Sequence, residues 1–365
     1  MKFLTLFRLD GFRMKNFYTI GFAFFLVALL SGCSQTLIFT MEQLRPGLLV
    51  SPIKDKRILI VDNSSPQPSN KGHVVAKNAK FLRDTAFNTH PLSIHLTQFL
   101  HRNLSEAGLF SSVQLIRSTE IPVPQKGSED YLYSTPLPNV ALQTLSKNPA
   151  NQLVLSLDLL HILSVTQIHD QVDVKSLTRD VWLQSDWRVY DLMADTMVVE
   201  FSIMDSMYWK NSNLVNALAD SQIPPMDAVL EEIGAVLAQK VVKQALPSWE
   251  KVDRVFFCNG SWRMRNATDF VRIDDLDQAA TLWEAEYSNA TFRSKYRAAL
   301  NLVLYNDVKD RIDIASDWLA KAETAIKESP FGSTFLDEAL LSWWKVYLPE
   351  KSINNEKLKK IFDEN

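Results

Sequence analysis

Six histidines, two cysteines and a scatter of carboxylates are the groups from which this 365-residue chain could build catalytic or metal chemistry. Their spacing does not assemble it. His95 and His101 are six apart and do not share a helix face, and no His-Glu-x-x-His zinc motif includes either of them or His73, His90, His161 or His169. His161 and His169 stand where they could flank a hairpin. A G-x-S-x-G elbow for a serine nucleophile is missing. So are a phosphate-binding loop and a dinucleotide fingerprint, and ten glycines leave few to cradle phosphates. Asp274, Asp275 and Asp277 cluster at a helix start, where the helix dipole favours carboxylates, so capping explains them. Sequence reasoning therefore expects no catalytic residue, no metal and no cofactor. Nine tryptophans are a different kind of signal, because six (Trp249, Trp262, Trp283, Trp318, Trp343 and Trp344) fall in the last third. Most are expected in the core, with one or two lining a partner or glycan groove. The formal net charge of −3 supplies no basic field for phosphates, so nucleic acid is not expected as a partner.

The two cysteines are Cys33 and Cys258. Disulfide-dependent secreted domains carry many more. In Phe256-Phe257-Cys258 the thiol reads as a small buried hydrophobe. Cys33 sits differently. Translation is read as beginning at Met14; Lys15 gives a positive start and Phe17 to Leu30 is almost wholly apolar. Leu30-Ser31-Gly32-Cys33 follows. That order describes a signal peptide, and its apolar run is shorter than the roughly 20 residues of a membrane span. The Leu30–Cys33 tetrad resembles the lipobox of bacterial lipoproteins, with Leu30, Ser31 and Gly32 read by the lipoprotein signal peptidase. The resemblance implies cleavage before Cys33, diacylglycerol on its thiol and an acylated amine, hence a stable anchor. Ser34-Gln35-Thr36 lacks the acids that resemble a surface-export signal, and no aspartate follows Cys33 to retain it in the inner membrane. The implied location is the outer membrane, facing the periplasm.

The elements expected downstream begin with a buried strand at Arg57 to Val61, ended by the turn cluster Asp62 to Pro66. Leu92, Leu96, Phe99, Leu100 and Leu104 make one helical stripe, opened by Pro91 and closed by Gly108. Phe110 to Ile116 reads as a strand, and residues 118–150 as a loop with a short helix at Val140 to Leu145. Leu153 to Leu159, Val181 to Tyr190 and Thr196 to Asp205 read as strands, the last two joined by a hairpin over Asp191 to Asp195. Met226, Val229, Leu230, Ile233, Val236, Leu237 and Val241 form a second helix face, ended by Pro247. This order predicts an α/β sandwich, a mixed sheet with helices on one face. It is similar to the small α/β domains of periplasmic assembly lipoproteins, such as the curli-secretion and penicillin-binding-protein-activator types, with Trp187 to Asp191 its best local support.

From Trp262 the pattern is helical. Ala279, Ala280 and Trp283 recur 35 residues later as Ile314, Ala315 and Trp318, and Ala285 as Ala320. Tyr296, Ala299, Leu300 and Val303 face inward between them, Asn306-Asp307 reads as a turn, and Phe335, Ala339, Leu340 and Trp343 as a capping helix. The stretch 262–348 resembles a short tetratricopeptide-like array, without the consensus Gly and Tyr or the regular closing Pro. The fold class expected is thus α+β, an N-terminal α/β sandwich followed by a tetratricopeptide-like helical domain. The expected boundaries are 1–32 signal peptide, 33–50 lipidated tether, 51–250 α/β domain, 251–348 helical domain and 349–365 solvated tail. The layout resembles a family of Bacteroidetes lipoproteins with no assigned activity, through the Cys33 region, Arg57 to Asn63, Trp187 to Asp191 and Asp277 to Ala322. It implies a non-enzymatic lipoprotein whose repeats present a concave surface to an envelope protein partner. Two alternatives stand beside it: an envelope glycan- or peptidoglycan-acting hydrolase or binding protein, and a subunit of an export or assembly complex.

Overall fold

The computed structural model describes residues 35–50, 52–116, 121–122, 127, 129–170, 175–212 and 223–362. Leu30, Ser31, Gly32 and Cys33, with the whole expected signal peptide, lie outside the described residues. The chain forms two compact units. One takes the chain up to Gln43 together with Glu250–Ile353, and the other takes Leu44–Trp249 together with the chain from Asn354 onward.

The second unit is built on a seven-stranded mixed sheet. Its strands are β2 (Arg57–Asp62), β3 (His73–Lys77), β4 (Lys80–Asp84), β5 (Ser112–Ile116), β6 (Leu153–Asp170), β7 (Lys175–Asp191) and β8 (Thr196–Ser212). The organising strand is β6, eighteen residues long. Along one edge it pairs in parallel first with β2, from Ile58↔Leu153 to Asp62↔Leu157, and then with β3, from His73↔Ser164 to Lys77↔Ile168. Along the other edge β7 pairs antiparallel over the full length, and β8 pairs antiparallel with β7. The β6–β7 register shifts between Leu157 and Leu159, leaving Asp158 as the extra residue of a bulge. Helices α1 (His90–Glu106) and α3 (Met226–Ala245) pack together on one face. Leu92, Leu96, Leu100 and Leu104 of α1 meet Val229, Leu230, Ile233 and Val241 of α3 over Ile58, Ile60, Leu155 and Trp187. Each such leucine contributes about 1.5–3 kcal/mol by burial. A Cβ added to Gly234 would stand 3.0 Å from the Cβ of His95, so a glycine permits the approach of the two helices. The alternate strand positions Leu59, Val61 and Val154 point to the other face, where short α2 (Asn139–Ser146) covers them with Ala141 and Leu145.

The other unit holds a two-stranded sheet of β1 (Thr36–Arg45) and β9 (Ser248–Phe257), paired through residues of this unit, followed by helices α4 (Trp262–Arg272), α5 (Leu276–Asn289), α6 (Phe292–Val308) and α7 (Ile312–Lys327) and by the start of α8 (Phe335–Phe362). Consecutive helices from α4 to α7 pack on one another, joined by connections of two or three residues, which makes them antiparallel. This is a helical-repeat region, and the turns show the period. Asp274 (φ 62°) and Asp310 (φ 56°) both take the left-handed conformation, 36 residues apart by number. The next N–H in each turn donates to the carbonyl five residues back, Asp275 N to Phe270 O at 2.9 Å and Arg311 N to Asn306 O at 2.8 Å. The repeat is therefore α4–α5 and α6–α7, one residue longer than the Ala-Ala-Trp match implied. The reason is that Trp283 is fully buried against Phe256, whereas Trp318 is half-exposed beneath Lys321. Buried Leu319, not Trp318, occupies the place equivalent to Trp283.

Three further stretches differ from expectation. Residues 36–45, expected as tether, form β1, because Leu37, Phe39 and Gln43 alternate inward beside exposed Ile38, Thr40 and Glu42. The helix expected to turn at Asn306-Asp307 continues to Val308; Asp307 is fully buried and tied into an ion-pair cluster. Residues 349–362, expected as a solvated tail, continue α8 past Pro349, and Ile361 is fully buried in the core of the α/β unit, its carbonyl accepting from Ile53 N at 3.3 Å.

Candidate interaction surface and ligand notch

The long β6–β7–β8 ribbon has two faces with different fates. Ile162, Val181, Leu183 and Ile203 point toward α1 and α3 and are buried. The alternate positions point the other way, and past the bulge α2 no longer covers them. There Leu163 stands opposite Trp182, with Met204 and Tyr208 on the neighbouring β8 positions, and all four are exposed. Met204 is 72% and Tyr208 57% exposed, values high enough that the ring and thioether are available as contact surface. Diagonal neighbours on antiparallel strands lie within reach of aromatic side chains, so the four form one apolar patch. Clustered exposed apolar groups of this kind mark interaction sites, whereas scattered single ones do not. Among the described residues, β8 pairs with β7 alone, so its second edge presents main-chain donors and acceptors beside the patch.

A polar cluster anchors the ribbon at its other end. Asp158, fully buried in the bulge, accepts from Asn63 Nδ2 at 2.8 Å, from Ser156 Oγ and from an Arg188 guanidinium nitrogen at 2.7 Å. The same Arg188 reaches Ser134 Oγ at 3.2 Å, and Asn63 reaches the carbonyl of Thr135, so the cluster pins the 134–138 segment to the sheet. Burial pushes the Asp158 carboxyl above its ordinary value, against the pull of the Asn63, Ser156 and Arg188 bonds. Burial and the Asp158 charge push Tyr190 up to about 12. The Asp158 carboxylate is satisfied by these three donors, which makes this a structural fastening.

Between the end of β2 and the start of β3, the β6 edge has no strand partner among the described residues, and the gap is a notch. Gln67 bridges it with its side chain, donating to Ile162 O at 2.8 Å and accepting from Ile162 N at 3.0 Å. Beside it lies a cavity of about 180 Å³ lined by Asp62, Ser64, Ser65, Thr89, His90 and Ser93 over Leu160. The start of α1 closes it, but its donors are spent: His90 N bonds Asn88 Oδ1 at 3.1 Å, Pro91 has none, and Leu92 N bonds Thr89 O at 3.0 Å. Ser65 Oγ is buried in the lining and has no hydrogen-bond partner among the described residues. The notch has one carboxylate, Asp62, whose Oδ1 accepts from Ser64 N and Oγ. The converging acid pair and aromatic walls that a glycan hydrolase would use are not among its lining residues.

The residues singled out in the sequence are dispersed. His90 lines the notch, His95 lies against Gly234, and His161 lies on the ribbon beside Tyr131, with ring centroids 5.9 Å apart. Burial lowers the pKa of His161, and burial with the nearby His161 lowers that of His73, a fully buried ring whose Nδ1 meets Ser164 Oγ at 2.9 Å. Among the described residues no group of three or more His, Cys, Asp or Glu is placed to hold a metal ion. Cys258 is buried in the helical unit. Asp275 caps α5 by accepting from Gln278 N at 3.1 Å, and Asp277 accepts from Tyr305 and Lys309. Trp283 and Trp344 are core, whereas Trp249 and Trp262 are exposed. Trp182, Met204 and Tyr208 were missed as surface groups, because the apolar neighbours Val181, Leu183, Met207 and Trp209 hide the alternation of the two faces.

No helix of the described residues is long and apolar enough to cross a membrane. No curated protein matches the chain. Among solved structures, the PelC dodecamer from Paraburkholderia phytofirmans is similar at 12% identity and a TM-score of 0.22, covering 57% of this chain and 99% of that one. The minor lipoprotein from Acinetobacter baumannii is similar at 12% identity and a TM-score of 0.23, covering 53% and 92%. Lipoprotein GNA1162 from Neisseria meningitidis is similar at 13% identity and a TM-score of 0.20, covering 51% and 98%. Residues 265–350 match the family model described as Domain of unknown function (DUF6340). Residues 56–257, more than half of the chain, match the model described as Domain of unknown function (DUF8603), and the chain belongs to that family.

Proposed function

We propose that this chain is a lipid-anchored scaffold of the bacterial envelope, held by Cys33 at the periplasmic side of the outer membrane and offering a protein-binding face without catalysis. The signal-peptide pattern and the tetrad Leu30, Ser31, Gly32 and Cys33 support the anchor. The observation that carries the scaffold reading is the bare apolar face of the β6–β8 ribbon, Leu163, Trp182, Met204 and Tyr208, beside the second edge of β8. That pairing suits a partner that lays a strand along the edge and fills alternate side-chain positions. The sequence pattern placed the partner on the helical repeats; the ribbon face moves the proposal to the α/β unit. A role as subunit of an export or assembly complex is one form of the same scaffold.

The test is capture from solubilised envelope by the tagged, lipidated chain, compared with a Trp182→Glu/Met204→Glu variant. The proposal expects a defined protein retained by the parent and reduced about tenfold or more by the variant, as for loss of a central hot spot. Equal retention by both would remove the ribbon from the account.

A further inference from the structure

The three helices α4, α6 and α8 begin at the same end of the helical unit. Arg297 Nε bonds Asp337 Oδ1 at 2.9 Å near the starts of α6 and α8, and Lys351 Nζ bonds Asp307 Oδ1 at 2.8 Å further along both, so these helices run parallel. A Cβ on Gly260, just before α4, would meet Ser294 Oγ at 3.7 Å, which places the start of α4 there too. Each start carries an exposed aromatic: Trp262 on α4, Phe292 on α6 and Phe335 on α8, the last 89% exposed. Phe331, 74% exposed, joins them with its ring 5.4 Å from Phe292 and edge-on to it. Phe292 has φ of 54°, a conformation that a bulky side chain rarely takes. Basic groups surround the aromatics. Arg263 lies 4.9 Å over Trp262, and Arg265, Arg293 and Lys295 are nearby in sequence; the exposed acids there are Glu328 and Glu338.

The first described residue leads to the same place. Gln35 Oε1 accepts from Arg297 at 2.9 Å, and its carbonyl accepts from Cys258 N at 3.1 Å. Only Ser34 separates Gln35 from Cys33, so two extended residues reach about 7 Å. We propose that this end of the helical unit, formed by Trp262, Phe292, Phe331 and Phe335, seats on the phospholipid surface that holds the Cys33 lipid. The proposal rests on the lipidation inferred above. A lipid on Cys33 brings these side chains to the headgroup layer, where aromatic rings are favoured and arginine and lysine meet anionic lipid. The seat would fix the orientation of the unit on the membrane, which lipid chains alone do not.

The full chain, produced in a bacterium that processes lipoproteins, is reconstituted into vesicles of phosphatidylethanolamine and phosphatidylglycerol. Three readings are taken: the mass of the N-terminal peptide, the Trp262 emission found by difference from Trp262→Phe in brominated lipid, and amide exchange. Expected are lipid on Cys33, loss of about half of the Trp262 emission, and exchange at 290–293 and 329–336 slowed on the order of tenfold relative to detergent. Segment 273–275, at the far end of α4, keeps its rate. A Phe331→Ser/Phe335→Ser variant, altered only at exposed rings, stays anchored and loses the slowing. A lipidated Cys33 with unquenched Trp262 and unchanged exchange overturns the seat and leaves the anchor standing. An unmodified Cys33 overturns the anchor and the seat with it.

Discussion

Replacing Arg254 by methionine keeps the aliphatic stem and removes the guanidinium from the centre of the helical unit. Arg254 is almost fully buried; it bonds Asp307 Oδ2 at 2.9 Å, Gln43 Oε1 at 3.0 Å and the Tyr347 hydroxyl, and its guanidinium carbon lies 4.3 Å over the Tyr347 ring. Lys351 holds the other carboxylate oxygen of Asp307 at 2.8 Å. The cluster therefore ties β1, β9, α6 and α8 to one buried carboxylate. Without the guanidinium, Asp307 keeps one of two cations, and Gln43 and Tyr347 lose a donor. Breaking a buried pair from one side costs about 3–5 kcal/mol. Methionine keeps the aliphatic stem but loses the guanidinium stacked on Tyr347, which places the cost toward the upper part of that range. For a unit of roughly 110 residues, at about 2.1 cal/mol/K of unfolding entropy per residue, the cost corresponds to a fall in Tm of about 13–21 °C. Calorimetry of the full chain should show the transition of the helical unit moving by that amount while the α/β transition stays. A shift below about 3 °C would refute the reasoning that this cluster holds the four segments together.

Ser65→Ala should leave stability unchanged or raise it by up to about 1 kcal/mol, because the buried hydroxyl has no partner among the described residues to lose; a loss of stability in urea melts would show a partner in the notch. Gly234→Val should cost about 1–3 kcal/mol by forcing α1 and α3 apart, read as a lower urea midpoint. Trp182→Glu with Met204→Glu should change stability by less than about 0.5 kcal/mol, since both side chains face solvent. Acid should weaken the helical unit through Asp337. Burial pushes that carboxyl up, but bonds from Arg297, Tyr296 and Thr334 outweigh burial and hold it below its ordinary value. A depressed folded pKa gives stability that is full above the unfolded value of about 4 and is lost as pH falls through the folded value. Asp337→Asn should flatten the stability–pH curve in that window, and an unchanged slope would count against it.

The fold class was legible because its signals are local. Leu92, Leu96, Leu100 and Leu104 declare one helix face, and Arg57 to Val61 declares a buried strand, in any tertiary context. What escaped depends on partners distant in sequence. Thr36 to Arg45 alternates as a strand should, but stands as a strand only through β9, some two hundred residues on. Pro349 reads as a breaker, and the apolar positions past it make sense only against the α/β core that buries Ile361. Five-residue β3 and β4 carry too few residues to show a period, and fully exposed β4 has no buried face to mark it. Candidate surfaces were less legible still. Trp182 and Met204 have the same residue types as core groups, and only the end of the α2 cover beyond the bulge at Asp158 leaves them bare. The aromatics that open α4, α6 and α8 lie up to seventy-three positions apart, and only helix packing brings them to one end.

The scaffold account is tested most directly by photo-crosslinking in the living envelope, with benzoylphenylalanine placed singly at positions 182, 204 and 208 of the anchored chain. The account predicts one discrete heavier species from all three positions, containing the same second protein, and none from position 203 on the buried face of β8. Crosslinks confined to this chain, or no discrete species from any exposed position, would contradict it.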